Sequence, residues 1–168
     1  MLKKCFFYFS DPFALLEFGL FYLSGVYKKK NIKKSIKYLT LASSYGLYKP
    51  NFYLGCIYFI GLEGNKDIDK AIHYFKEGSS FNDNYCKNNL GIIYKNIKHN
   101  PNAIVYFKEA IHQEDDMVAM YNLAHMYLYG ELINENIDQS IDLLIKSSDK
   151  GFMTSFILLC LAIIKTNK

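Results

Sequence analysis

The chain has 168 residues, of which 51% are hydrophobic and 17% aromatic, with a formal net charge of +4. That apolar content is ample for a core and excludes a disordered chain. All 20 basic residues are lysine. Arginine is the usual bidentate reader of guanine and phosphate, so sequence-specific nucleic-acid binding is not expected.

The first nine residues carry Lys3 and Lys4 and then an aromatic run, superficially like the start of a secretory signal. Asp11, Pro12 and Glu17 interrupt it, and Asp11-Pro12 reads better as the cap and first position of a helix. From there one skeleton recurs. Phe18-Gly19, Leu54-Gly55, Leu90-Gly91, Leu123-Ala124 and Leu159-Cys160 are spaced 36, 36, 33 and 36 residues apart. Three residues after the small position stand Tyr22, Tyr58, Tyr94, Tyr127 and Ile163; six after stand Gly25, Gly61, Ile97 and Gly130. A second anchor follows at Ser35-Ile36, Ala71-Ile72, Ala103-Ile104 and Ser140-Ile141. Self-similarity at this period marks a stacked repeat protein.

Each position has a physical reason. The bulky residues flanking the small one share a helical face and form the core of a first helix, A. The small residue lets a neighbouring helix approach closely, so that each hairpin nestles against the next; a mid-helix glycine costs about 1 kcal/mol against alanine, which close packing must offset. The glycine six residues on ends helix A in the left-handed conformation. Asn31, Asp67, Asn100 and Asn136 then cap a second helix, B, which closes near Gly46, Asn82 and Gly151. The third copy has a shorter internal turn, Ile97 in place of glycine, and Asn100-Pro101 at the start of helix B. The last copy has helix A alone.

The pattern Ala14…Phe18-Gly19…Tyr22…Gly25, with Asp67…Lys70-Ala71…Tyr74 in the second copy, resembles the Sel-one-like repeat, a relative of the tetratricopeptide repeat. The resemblance covers nearly the whole chain, from about Ala14 to Ile163, and implies an all-α, right-handed α-solenoid of antiparallel helix pairs. One domain, 1–168, is expected, with repeats at about 11–46, 47–82, 83–115 and 116–151 and a closing helix at 152–165. It also implies that A helices line a concave surface, with side chains two before and one or five after the small residue pointing inward. On that basis Tyr53, Asn89, Asn96, Asn122, His125 and Tyr129 are candidate partner-binding residues. Asparagine offers donors and acceptors to an extended backbone, and tyrosine an aromatic anchor.

Charge is uneven: Lys28, Lys29, Lys30, Lys33 and Lys34 crowd the first turn between helices, whereas the charged residues of 109–149 are all acidic but Lys146. These lysines are either a solvated face or a patch that steers an acidic partner or anionic membrane. Some secreted relatives carry one disulfide per repeat. Here Cys56 and Cys160 lie three units apart, Cys86 and Cys160 occupy small-residue slots, and free, buried thiols are expected. His73, His99, His112 and His125 are never four apart and no Cys-x-x-Cys occurs, so no metal site or cofactor is expected. Phe156 to Ile164 is apolar all round but far shorter than a bilayer span.

The functional expectation is a non-enzymatic adaptor or scaffold in the cytoplasm, binding a protein or peptide segment, with self-association through the apolar last helix. Two alternatives come with the resemblance: an enzyme of the β-lactam-binding or hydrolysing kind described for cysteine-rich relatives, and a regulator or effector exported by a signal-independent route.

Overall fold

A computed structural model describes residues 11–26, 29–114 and 116–166; Cys5 and the N-terminal aromatic run lie outside them. The described chain divides into two units, Met1–Asp83 and Asn84–Lys168. The first holds α1 (Pro12–Ser24), α2 (Ile32–Ser44), α3 (Lys49–Ile60) and α4 (Ile68–Ser80). The second holds α5 (Asn84–Asn96), α6 (Asn102–Glu114), α7 (Met117–Tyr129), α8 (Ile137–Asp149) and α9 (Met153–Thr166). No strand occurs among the described residues.

Local chemistry sets where these helices start and stop. Asp11, Asn31, Asp67, Asn100, Asp116 and Asn136 each accept a hydrogen bond from an amide two or three residues on, at 2.8 to 3.1 Å. Each satisfies an amide that the helix cannot, an effect of about 1 kcal/mol. Gly25, Gly61 and Gly130 end α1, α3 and α7 with φ of 70, 81 and 66°, where a side chain would be strained. In the third hairpin Ile97 cannot play that role, and the left-handed turn passes instead to His99, at φ 46°.

Within every hairpin the turn is pinned the same way. The amide of the B-helix cap donates to the carbonyl of the conserved-offset tyrosine: Asn31 to Tyr22, Asp67 to Tyr58, Asn100 to Tyr94 and Asn136 to Tyr127, all at 2.9 or 3.0 Å. Three of these tyrosines stack on a tyrosine of helix B, Tyr22 on Tyr38, Tyr58 on Tyr74 and Tyr94 on Tyr106, with ring centroids 5.3 to 5.7 Å apart. Such pairs add about 1 kcal/mol beyond area burial.

The small residue of helix A faces its own helix B. A Cβ on Gly19 would lie 2.6 Å from the Leu39 side chain and one on Gly91 2.5 Å from the Phe107 ring; one on Gly55 would strike the Phe75 ring. At the fourth hairpin Ala124 and Leu144 are buried in one cluster. The nearest atoms at each glycine therefore come from within the hairpin, which corrects the expectation that this residue seats one hairpin on the next. Two large groups, Phe75 and Phe107, need the space of a missing side chain because they are themselves fully buried.

Stacking between hairpins is carried elsewhere. In the first unit α2 meets α3, where Ser43 donates to Asn51 at 2.8 Å, and Leu15, Ile32, Leu39, Ala42, Leu54 and Ile57 form one core. In the second unit α6 meets α7, and Phe107, Ala110, Ala119, Leu123 and Met126 share a core. A hydroxyl relay fixes α9: Ser155 donates to Ser147, which donates to the Met117 carbonyl, both at 2.7 Å. The Lys165 ammonium closes its far end, reaching the Leu128 carbonyl at 2.8 Å and Glu135 at 2.7 Å. The result is an all-α solenoid of stacked antiparallel helix pairs.

The cysteines follow from this packing. Cys56, Cys86 and Cys160 are free thiols, but only Cys86 is fully buried and Cys160 is exposed. Cys160 stands in the small slot of α9 and is exposed among the described residues. Burial, with Asp83 adding to it, pushes the Cys56 thiol up to about 11, so it stays protonated and unreactive.

Gly91→Ala is expected to destabilise the chain by about 1 to 3 kcal/mol in urea denaturation, although alanine is the better helix former. Phe107→Leu in the same chain is expected to recover part of that loss. A neutral or stabilising Gly91→Ala would contradict the packing.

Candidate functional site

The residues that gather most chemistry lie on α5 and α7, the A helices of the second unit. Helical spacing puts Asn88, Asn89, Lys95 and Asn96 along α5 and Tyr121, Asn122, His125 and Tyr129 along α7. Asn122 Nδ2 donates to Asn88 Oδ1 at 3.2 Å and joins the helices at one end. At the other end Lys95 Nζ lies 3.2 Å from His125 Nδ1 and 2.7 Å from Glu131 Oε2, just past the α7 cap. Between them the His125 ring packs on Tyr129 at 4.6 Å between centroids.

Of the six candidates, five lie on these two helices. Asn89 is half-buried, its amide nitrogen donating to the Tyr85 carbonyl at 2.7 Å. Asn96 is exposed, and Tyr129 is 49% exposed, large enough in area to anchor a ligand. Tyr53 is separate: it lies on α3 of the first unit, half-buried against that unit's core. Lys29, Lys30, Lys33 and Lys34 are exposed around the start of α2, with the Lys34 ammonium 5.1 Å from the centre of the Tyr22 ring. Lys28 lies outside the described residues.

A cleft of 550 Å³ opens at the charged end, lined by Lys95, Asn96, His99, His125, Glu131 and Leu132. Two of its walls are strained. His99 and Leu132 hold φ of 46 and 60°, a conformation that costs a side-chain-bearing residue about 1 kcal/mol or more. Of the residues lining this cleft or joining the two helices, Asn96 and His125 were among the sequence candidates, and Lys95, Glu131 and Asn88 were not. A signal existed. At the positions of Lys95 and Asn88 the other hairpins carry Leu23, Phe59 and Leu128, and Leu16, Phe52 and Tyr121. Lys95 and Asn88 thus replace large apolar or aromatic residues of the other hairpins.

The cluster is electrostatically coupled. Desolvation, and then the Lys95 charge, hold the His125 pKa below the usual imidazole value, with Glu131 opposing them. Partial burial disfavours the Glu131 carboxylate, yet the hydrogen bond and charge of Lys95, with His125, outweigh it and hold its pKa below the usual range. His125 Nδ1, 3.2 Å from the Lys95 ammonium, also lies 3.4 Å from Glu131 Oε2. Protonation of the ring would set two cations side by side. Among the described residues no group of three or more His, Cys, Asp or Glu side chains could hold a metal ion, and no helix is long and apolar enough to cross a membrane.

The sign of the pH effect follows. With a folded-state pKa below that of the unfolded chain, the native protein binds fewer protons at His125 than the unfolded one. The stability this gives is present above the unfolded value and is lost as pH falls through the folded one. Between about pH 7.5 and about pH 5.5 the melting temperature should therefore fall more for the wild-type chain than for His125→Gln. Parallel slopes would show that His125 is not coupled to folding.

Comparison with known proteins places these features. The Sel1 repeat matches residues 12–46, 51–80 and 118–152, passing over the third hairpin, which has the short turn and the polar substitutions. No match to a curated protein was found. Among solved structures the chain is similar to c5321, a protective antigen of uropathogenic Escherichia coli strains displaying an SLR fold, at 22% identity and a TM-score of 0.82 over 89% of this chain. It is similar at the same identity and coverage, with a TM-score of 0.80, to a Sel1 repeat protein from Oxalobacter formigenes. The chain spans 33% of the first and 62% of the second; at this identity the likeness is one of fold. With its matched residues covering more than half of the chain, this protein belongs to the Sel1-repeat family, within the tetratricopeptide-like helical-repeat superfamily.

Proposed function

We propose that the chain is a non-enzymatic protein-interaction module, and that the α5–α7 face of its second unit receives an extended segment of a protein partner. The observation that carries this is the joining of Asn88, Asn122, Lys95, His125 and Glu131 across two neighbouring A helices beside an open cleft. Proteins of this fold generally serve as interaction scaffolds. Asn89 and Asn122 spend one amide donor each inside the protein and retain an oxygen that suits a peptide N–H. Tyr129 supplies apolar area with a hydroxyl at its tip, the composition of an interface anchor. The ion pair of Lys95 and Glu131 holds the cleft wall in place, because a partly desolvated pair resists rearrangement. The cytoplasm is the compartment that fits free thiols.

A displayed library of random peptides, selected on the immobilised chain, tests this reading. Enriched peptides should bind Asn122→Ala and Tyr129→Ala about tenfold more weakly, the effect of losing roughly 1.4 kcal/mol at an interface centre. Unchanged binding by both variants, with the helical content intact, would reject this face as the site.

A further inference from the structure

In the first three hairpins the tyrosine of helix A is stacked on a tyrosine of helix B. In the first two a lysine also lies over that ring, Lys34 at 5.1 Å from the centre of Tyr22 and Lys70 at 5.3 Å from that of Tyr58. The fourth hairpin has neither: Leu143 stands where Tyr38, Tyr74 and Tyr106 stand, and Gln139 where Lys34 and Lys70 stand. A cavity of 440 Å³ opens there, lined by both residues, with Leu123 and Tyr127 of α7 as its floor and Lys108, Ile111 and His112 of α6 facing Asp142 and Lys146 of α8. The volume suits a small molecule, since such sites run from about 300 to 1,000 Å³ and an apolar cavity of about 150 Å³ already holds benzene.

The lining defines what fits. Leu123 and Tyr127 are 3 and 8% exposed, and Ile111 and Leu143 are half-buried beside them, so the floor is apolar. One polar group interrupts it: the Tyr127 hydroxyl has no hydrogen-bond partner among the described residues although its residue is more than nine-tenths buried, where a buried tyrosine usually finds one. Lys108 and Lys146 stand on opposite walls, and neither their ammonium groups nor the Asp142 carboxylate is engaged in an ion pair or hydrogen bond among the described residues. Two lysines against one aspartate leave one positive charge over an apolar floor.

We propose that this cavity binds a small aromatic monocarboxylate. Its ring lies against Tyr127, in the place that a tyrosine of helix B takes in the first three hairpins, and its carboxylate accepts hydrogen bonds from Lys108 and Lys146, with the Tyr127 hydroxyl as a further donor. A single carboxylate matches the excess of one charge, and a second would meet Asp142. None of the lining residues belongs to the α5–α7 site, so this inference stands independently of the peptide-binding reading.

Proton and nitrogen NMR titration of the full chain with phenylpropanoate tests this. Saturable shifts are expected at α6, α8 and Tyr127, with a Kd of about 0.1 to 1 mM, as suits a ligand of this size. Phenylpropanamide, which lacks the charge, and hexanoate, which lacks the ring, should each bind about tenfold more weakly. Lys146→Gln and Tyr127→Phe should each weaken phenylpropanoate about threefold or more. Leu143→Tyr restores the ring that the other hairpins carry, and should abolish binding with circular dichroism unchanged and the melting temperature held or raised. Peptides selected on the α5–α7 face should bind that variant as they bind the parent chain, which separates the two sites. A short peptide ending in phenylalanine presents the same ring and carboxylate on a chain and should bind more weakly than the free acid; tighter binding would assign the cavity to a protein terminus and overturn the free ligand. Absence of saturable shifts at about 10 mM, an amide that binds as well as the acid, or undiminished binding to Leu143→Tyr would overturn the proposal.

Discussion

The contact between a residue with little or no side chain on helix A and a large buried one on helix B governs this molecule. Leu39, Phe75, Phe107 and Leu144 meet Gly19, Gly55, Gly91 and Ala124. A glycine inside a helix is unfavourable by itself, by about 1 kcal/mol. The burial of a phenylalanine is worth roughly 1.5 to 3 kcal/mol, which decides the balance in favour of close approach. Around that contact the cap hydrogen bonds and tyrosine stacks fix the angle at which the two helices meet. Where the internal turn is shortened, in the third hairpin, the ring still reaches its glycine because Phe107 follows Gly91 by four residues fewer than Phe75 follows Gly55.

Local signals were legible in the sequence because they act over a few residues. Asn31, Asp67, Asn100 and Asn136 cap the helices they precede, and Gly25, Gly61 and Gly130 end the helices they follow. Repetition of these signals at a fixed spacing was enough for the architecture. What spacing could not supply was the partner of each small residue. Within a hairpin and between hairpins are both close in space, and the choice depends on which large side chain finds room.

The same limit applies to the site. Asn89, Asn96, Asn122, His125 and Tyr129 were chosen as candidates from their offsets on helix A, and these five of the six candidates lie on two neighbouring helices. Lys95 and Glu131 were passed over because they meet across 36 residues of chain at 2.7 Å, and no periodic template pairs them. Tyr53 illustrates the converse: the right offset, but a side chain half taken up by its own core. Cys160 was expected to be buried by analogy with its slot. Its exposure shows that burial there comes from the helix opposite and is not a property of the slot.

The account stands on the proximity of each glycine to one particular side chain, and proton NMR reads that proximity directly. Nuclear Overhauser effects are predicted from the Gly55 Hα protons to the Phe75 ring, from Gly91 to the Phe107 ring and from Gly19 to the Leu39 methyls, with the two glycines beneath rings displaced upfield. Contacts from these glycines to the helix of an adjoining hairpin, with none to Leu39, Phe75 or Phe107, would contradict it.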